Sequence, residues 1–368
     1  MKLSVIILNY NVRYFLELCI KSVEKSLVDI DAEIIVVDNR SSDKSCEMVK
    51  ELFPKVKLIE NPSNEGFSKG NNLGVKAAKG EYLCILNPDT IVAEDTFKVL
   101  LDFADKQDRL GIVGCRLMDG TGKFLPESKR NIPKPLVALK KLLGNPDLYY
   151  ANQLSEYDIG EAAVFVGAFM LVKKAVYDEV GGFDEDYFMY GEDIDLSYRV
   201  LKSGYRNYYN GSMTIVHYKG ESTLKDVNYA QRFYGAMQIF YRKHFKSNLV
   251  FNGLVWFGVR SAYLMRSEPE VVKMAIKNYV VQTEKKSHIL ESTLRNPVIL
   301  VSKVTKVDPF TEVIFDANSM SYKEIFEHIT DLKDNADVSF KILPNNANFI
   351  IGSNCSRNRG EIQVLTKN

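Results

Sequence analysis

Leu3-Ser4-Val5-Ile6-Ile7-Leu8-Asn9-Tyr10-Asn11 opens the chain with an apolar run of strand length that stops abruptly at polar residues. The run is continuous instead of alternating, as expected for a parallel strand buried on both faces. Val12, Leu16, Cys19, Ile20, Val23 and Leu27 then recur at helical spacing, and Glu33-Ile34-Ile35-Val36-Val37 repeats the strand pattern into Asp38. The alternation continues with a helix through Met48, a strand at Lys57–Ile59, a helix over Asn71–Ala78 and a strand at Tyr82–Leu86. A helix over Glu94–Ala104 and a strand from Gly111 complete the unit. Such alternation predicts an α/β fold with a mostly parallel sheet covered by helices on both faces.

The rhythm breaks at residues 119–160, where Asp119-Gly120, Pro126, Pro133, Pro135 and Asn145-Pro146 punctuate few apolar runs. This segment reads as a long loop of functional or mobile character. Strand character returns at Ala163–Val172, a short helix follows at Lys174–Val180, and short strands follow at Tyr205–Tyr209 and Met213–His217. From Val227 the pattern is helical, with breaks, towards Leu294; after Asn296-Pro297 strands dominate, interrupted by a helix over Tyr322–Leu332. The expected organisation is a catalytic domain over 1–225, basic amphipathic helices over 226–296, and a small α/β appendage over 297–368.

The 368 residues, 46% hydrophobic and 26% charged, exclude a disordered or fibrous chain. A net charge of +1 gives no electrostatic reason to expect nucleic-acid binding. That balance hides a split: Tyr218–Phe310 holds 15 Lys/Arg against 7 Asp/Glu, a local +8 that leaves −7 for the remainder. Five dispersed cysteines form no C-x-x-C pair and read as reduced, cytoplasmic core residues. With four histidines in all, any metal must be held mainly by carboxylates, which favours Mg²⁺ or Mn²⁺. The N-terminus reads as a strand and not as a signal peptide. Leu249–Met265, interrupted by Asn252 and Arg260, suits the membrane interface better than a span.

Ligands of open α/β sheets bind beyond the carboxyl ends of the strands. Asp38 and Asp89 both stand at such ends; each alone is equally read as a helix cap or turn former. No G-x-G-x-x-G or G-x-x-x-x-G-K-[ST] follows the first strand, which argues against a dehydrogenase or P-loop enzyme. Residues 184–195 hold six carboxylates and no Lys or Arg, among Tyr187, Phe188 and Tyr190. Crowded, desolvated acids raise one another's pKa and suit general-base work; the helix dipole accounts for one or two of them. His217 closes a strand and, alone, reads as structural.

Together these stretches resemble the inverting family 2 glycosyltransferases, within them the rhamnosyltransferase-like group, whose fold is called GT-A. The resemblance covers about residues 1–245. It is carried by Ser4–Asn11, Val36-Val37-Asp38-Asn39 with Ser41-Ser42-Asp43, Asn64-Glu65-Gly66-Phe67-Ser68 and Gly70-Asn71-Asn72-Leu73-Gly74. Leu86-Asn87-Pro88-Asp89, Val166-Gly167-Ala168, Gly182-Phe183-Asp184-Glu185 and Gly191-Glu192-Asp193-Ile194-Asp195-Leu196 complete it. It implies a nucleotide site at Asn9, Asp38, Asn71, Asn72 and Asp89, with Asp38 on the pyrimidine base and the Gly66–Asn72 loop nearby. Asp89 matches the last acid of the family's D-x-D metal motif, although Asn87 replaces the first. His217 matches a second metal ligand, and Asp193 the catalytic base, with Glu192 beside it.

The resemblance therefore implies sugar transfer from a nucleotide-diphosphate donor, dTDP-rhamnose or a UDP-sugar, to a glycan or lipid-linked acceptor in cell-surface polysaccharide synthesis. Arg130, with Lys129 and Ser128, is read either as a phosphate or acceptor contact or as a solvated loop charge. The basic helices, with Phe251, Trp256 and Phe257, suit an anionic membrane surface at its inner face, or equally a homo-oligomer contact or ordinary packing. A sugar-1-phosphate nucleotidyltransferase and a non-catalytic glycan-binding module are the rival readings.

Overall fold

The computed structural model describes residues 1–142, 144–219, 227–245, 253, 274–284, 290, 293–294, 296–353 and 360–365. The larger sheet has nine strands: β1 (Leu3–Asn9), β2 (Ala32–Asp38), β3 (Lys57–Glu60), β4 (Tyr82–Leu86), β5 (Thr90–Ile91), β6 (Leu110–Met118), β7 (Ile159–Glu161), β8 (Phe169–Lys173) and β9 (Arg206–His217). They run in the order β3-β2-β1-β4-β8-β6-β9-β5, with β7 also on β9. Pairing is parallel from β3 through β4; β8 then lies antiparallel between β4 and β6.

Both faces are buried, which explains the unbroken apolar strands. Leu3, Val5 and Ile7 pack with α1 (Arg13–Ser26), α2 (Ser45–Leu52) and, across the sheet, α4 (Thr96–Ala104). Ile6, Ile35, Val37, Leu83 and Ile85 face α3 (Gly66–Ala77), α6 (Lys174–Glu179) and α7 (Glu192–Lys202). Helix α3 starts at Gly66, so the expected Gly66–Asn72 loop is its first two turns. The reason is steric: a Cβ on Gly70 would lie 2.4 Å from Leu8 Cδ1, and one on Gly74 2.6 Å from Ile6 Cγ2. Glycines that look like loop formers instead let the helix settle onto β1.

The segment 119–160 is also more ordered than a free loop. It contains a short 3₁₀ turn (Pro126–Ser128), α5 (Pro135–Leu142) and β7. Arg130 forms antiparallel bridges to both Tyr150 and Val164.

The second sheet has six strands in the order β11-β10-β12-β13-β14-β15: β10 (Asn278–Gln282), β11 (Val298–Val301), β12 (Thr311–Asp316), β13 (Val338–Leu343), β14 (Phe349–Gly352) and β15 (Glu361–Val364). Strand β10 lies inside the stretch expected to be helical; its Tyr-Val-Val run pairs in parallel with β11 and β12, so this sheet begins before residue 297. Its helix α9 (Tyr322–Leu332; α8 is Val227–His244) packs Tyr322, Ile325, Phe326 and Ile329 into a cluster that includes Val12, Phe15, Ile91, Val216 and Tyr218 of the first unit. The Glu94 carboxylate accepts the Tyr322 and Lys323 N–H groups at 2.8 and 3.1 Å, meeting the unsatisfied donors at the α9 N-terminus.

Helix α8 buries Ala236, Phe240 and Tyr241 against Tyr187 and Ile194. Lys243 pairs with Asp184 and, at 2.6 Å, with Asp186, so part of the basic surplus meets the acidic segment within the chain. Phe251, Trp256 and Phe257, with most of Leu249–Met265, lie outside the described residues. Among the described residues no helix is long and apolar enough to cross a membrane.

Candidate active site

Strands β1 and β2 pair with Asn9 opposite Asp38, which brings their polar ends to one level. Asn9 Nδ2 donates to Asp38 Oδ1 at 2.7 Å and to Ser41 Oγ at 3.0 Å, and the Ser41 N–H donates to Asp38 Oδ2 at 2.7 Å. Asp38 is 1% exposed, and each of its oxygens accepts a hydrogen bond that holds the strand-end turn. Among the described residues, buried Asn9 Oδ1 makes no hydrogen bond, and neither does Asn71 Oδ1 on α3. Asn72, expected beside a nucleotide, donates to Phe183 O and Glu185 Oε1 and accepts from the Tyr177 hydroxyl and the Phe183 N–H. Its amide is committed to tying α3 to residues 177–185.

Asp89 and His217 meet because β5 runs antiparallel to β9, with Thr90 opposite His217. Asp89 Oδ1 lies 3.4 Å from His217 Nε2, and Asn87 Nδ2 lies 3.5 Å from the same nitrogen. Both residues are buried, and Asp89 Oδ1 and His217 Nδ1 make no hydrogen bond among the described residues. Buried polar atoms are normally satisfied, so orphans here point to a missing partner. The described residues contain no group of three or more His, Cys, Asp or Glu able to hold a metal. One carboxylate and one imidazole nevertheless fit a divalent cation that completes its shell with water and substrate phosphate. Glu127 stands nearby. Burial pushes its carboxyl up, but Lys219, paired at 2.6 Å, outweighs this and holds it below its ordinary value.

The third group sits at the start of α7, after Gly191, whose φ of 80° places it in the region that glycine tolerates. Asp193 Oδ2 accepts from Arg130 Nη2 at 2.6 Å and from the Gly167 N–H at 3.3 Å, while Oδ1 accepts the Ile194 N–H at 2.8 Å. Glu192 is buried and its Oε2 makes no hydrogen bond among the described residues; burial first, and then the Asp193 charge, push its carboxyl well above the ordinary value. Asp195 is fully buried and claimed by Arg199 and His244, each at 2.6 Å, which makes it a packing anchor between α7 and α8.

Gly167 and Ala168 join the last two groups: the Gly167 N–H reaches Asp193, and Ala168 O accepts the Asn87 N–H at 3.0 Å. Asp193 and Asn87 are thus both hydrogen-bonded to one short segment.

Arg130 is not a solvated loop charge. It is 7% exposed, and Nη2 also donates to Phe165 O at 2.8 Å. Ser128 and Lys129 are buried too, with Lys129 Nζ donating to Ala151 O and Leu154 O. Tyr149, whose hydroxyl lies 3.4 Å from Arg130 Nη1, and Lys141, over the Tyr149 ring at 3.2 Å, extend the network. Burial raises the Tyr149 phenol, but Arg130 and Lys141 outweigh this and bring it below its ordinary value. Nothing local in the sequence separates these residues from a polar surface loop.

The model of "Glycosyl transferase family 2" matches residues 4–181, which end between Ala168 and α7. A Mycobacterium tuberculosis (strain ATCC 25618 / H37Rv) protein named N-acetylglucosaminyl-diphospho-decaprenol L-rhamnosyltransferase is 30% identical over 214 residues, covering 52% of this chain and 68% of that one. Rhamnosyltransferase WbbL of Escherichia coli (strain K12) is 25% identical over 217 residues, covering 53% and 78%. A solved Pyrobaculum calidifontis mannosyltransferase, PcManGT, in complex with GDP-Man and Mn²⁺, aligns over 72% of this chain and 70% of its own, at 19% identity and a TM-score of 0.46. The chain belongs to glycosyl transferase family 2.

Proposed function

We propose that the chain is an inverting glycosyltransferase that moves a sugar, rhamnose from dTDP-rhamnose or a sugar from a UDP donor, to a glycan or lipid-linked saccharide in cell-surface polysaccharide synthesis. The observation that supports this reading is the Gly167–Ala168 segment, which hydrogen-bonds both the Asp193 carboxylate and the Asn87 end of the Asn87–Asp89 turn. Single displacement needs a base on one side of the anomeric carbon and a diphosphate site on the other.

In the proposed step an acceptor hydroxyl attacks the anomeric carbon from the face opposite the leaving diphosphate. The acceptor O–C1 bond forms as the C1–O(phosphate) bond breaks, and Asp193 takes the hydroxyl proton. Asp89 and His217 would hold Mg²⁺ or Mn²⁺, which when bound supplies positive charge against the diphosphate. The orphaned carbonyls of Asn9 and Asn71 offer acceptors to a nucleotide, and Asp38 keeps the strand-end turn in shape for it. Glu192 keeps the surroundings of the base dry and mostly neutral. Residues 1–225 form the catalytic unit in this reading. The names of the mycobacterial and E. coli relatives support a rhamnosyl donor, and that of the mycobacterial relative a lipid-diphosphate acceptor.

A thermal-shift and hydrolysis panel of UDP- and dTDP-sugars with Mn²⁺ tests this. At least one donor should stabilise the protein and be hydrolysed slowly, with Asp193→Asn binding the same donor and hydrolysing it far less. Absence of both binding and turnover across the panel overturns the enzymatic reading. Full turnover by Asp193→Asn overturns the assignment of the base.

A further inference from the structure

Glu192 and Asp193 present a problem of charge placement. Two adjacent carboxyl groups, both buried, cannot both ionise cheaply, and whichever holds the proton is useless as a base. The pair is flanked by a third acid, Asp195, whose charge is already met by Arg199 and His244. Asymmetry comes from the opposite side. Arg130 and two backbone N–H groups hydrogen-bond Asp193, whereas among the described residues Glu192 Oε2 makes no hydrogen bond and its carboxyl has only its own backbone N–H and the more distant Arg130 charge.

We infer that Arg130 is a positioning residue that decides which of the two carboxyl groups is the base, by holding the negative charge on Asp193 and leaving the proton on Glu192. This rests on the reading of Asp193 as the base. The geometry is specific: the guanidinium is fixed by Phe165 O and the Tyr149 hydroxyl, and its own backbone is pinned between Val164 and Tyr150. A buried ion pair at 2.6 Å is poor evidence for stability, because desolvation offsets most of the attraction. Placement of charge is the better account of why it exists. Glu192 fits this division, its carboxyl lying well above the ordinary value through burial and the Asp193 charge.

The charged and titratable groups around the pair are Arg130 and Tyr149 from the loop segment, Lys141 behind Tyr149, and Asp195 on α7. Lys141, held below its ordinary value chiefly by burial, lies over the Tyr149 ring, and Arg130 is the cation that hydrogen-bonds Asp193.

The test is the pH profile of kcat/KM for donor hydrolysis, whose acidic limb reports the base of the free enzyme. Losing an opposite charge at hydrogen-bond distance should raise that limb by about 1–3 pH units in Arg130→Met. Arg130→Lys keeps the charge and should return the limb most of the way, even though the fork to Phe165 and Tyr149 is lost. Binding of UDP or dTDP with Mn²⁺, measured by calorimetry, should change less than twofold in either variant. An unmoved limb with strongly weakened nucleotide binding would instead make Arg130 a diphosphate contact and overturn the inference. If Arg130→Met does not fold, Arg130→Gln takes its place as the charge-removing variant: a limb raised above wild type with nucleotide binding intact supports the role, and an unmoved limb with tenfold weaker binding refutes it. If Asp193→Asn keeps full activity, the base reading fails; if it abolishes activity while the Arg130 variants leave the limb unmoved, only this inference fails.

Discussion

Asp89 Oδ1 and His217 Nε2 lie 3.4 Å apart, brought together by the pairing of Thr90 with His217 across β5 and β9. Among the described residues, no third His, Cys, Asp or Glu joins them in a group able to hold a metal. The arrangement is half a coordination shell, and its affinity for a cation should depend on what brings the other half.

Removing either ligand should therefore weaken the cation more in the presence of nucleotide than alone. Asp89→Asn and His217→Ala should each lower the apparent Mn²⁺ affinity, measured with UDP or dTDP present, by at least about tenfold. Equal Mn²⁺ titrations for wild type and both variants would remove these residues from the metal site.

Loss of the base should leave binding and remove turnover. Asp193→Asn should lower kcat by roughly 10²–10⁴-fold while the nucleotide dissociation constant stays within a few fold. Glu192→Gln, which replaces a neutral acid by its neutral amide, should lower kcat much less than Asp193→Asn. The reverse order would transfer the base to Glu192.

The raised Glu192 carboxyl also predicts a pH dependence of stability. A group whose folded value lies above its ordinary 4.5 contributes stability that is fully present below that value and is lost as pH rises through the folded value. Glu192→Gln removes this term, so its melting temperature relative to wild type should rise steadily as pH is raised from about 5 to 8. A difference that is flat with pH would mean that Glu192 is ionised in the folded protein.

Glu94 caps α9 from the other unit, and its loss should loosen the junction locally. Glu94→Ala leaves the Tyr322 and Lys323 N–H groups without their partner, at a cost of about 1 kcal/mol. Exchange of those two amides should accelerate roughly fivefold or more if they open locally. Unchanged exchange would show that Ser321 and Glu324, which form a capping box, hold the helix start by themselves.

The fold of the first unit was legible because each strand carries its own signal, a short apolar run ending on Asn9, Asp38 or Asp89. Register then does the rest, since parallel pairing puts those ends side by side. The segment 119–160 was not legible, because its order comes from partners distant in sequence: Arg130 with Val164 and Asp193, Lys129 with Ala151, and Arg116 with Glu156 at 2.8 Å. Local periodicity carries no trace of such contacts. Two expected short strands proved to be the single β9, which a register irregularity between Cys115 and Arg116 of its neighbour accommodates. Strand β10 was hidden by the basic, helix-like composition on either side of it. In the site, Asn71 kept an unsatisfied carbonyl, whereas Asn72, its neighbour on α3, turned to Phe183; adjacent helical residues point about 100° apart, a difference that motif matching does not see.

The most direct test of the account follows the anomeric proton of a donor sugar by time-resolved ¹H NMR, using a UDP- or dTDP-sugar that the protein turns over with Mn²⁺. Wild type should release sugar whose first-formed anomer is inverted relative to the donor, and Asp193→Asn should release almost none over the same interval. Release of the retained anomer, or an inverted product formed equally fast by Asp193→Asn, would contradict single displacement with Asp193 as the base.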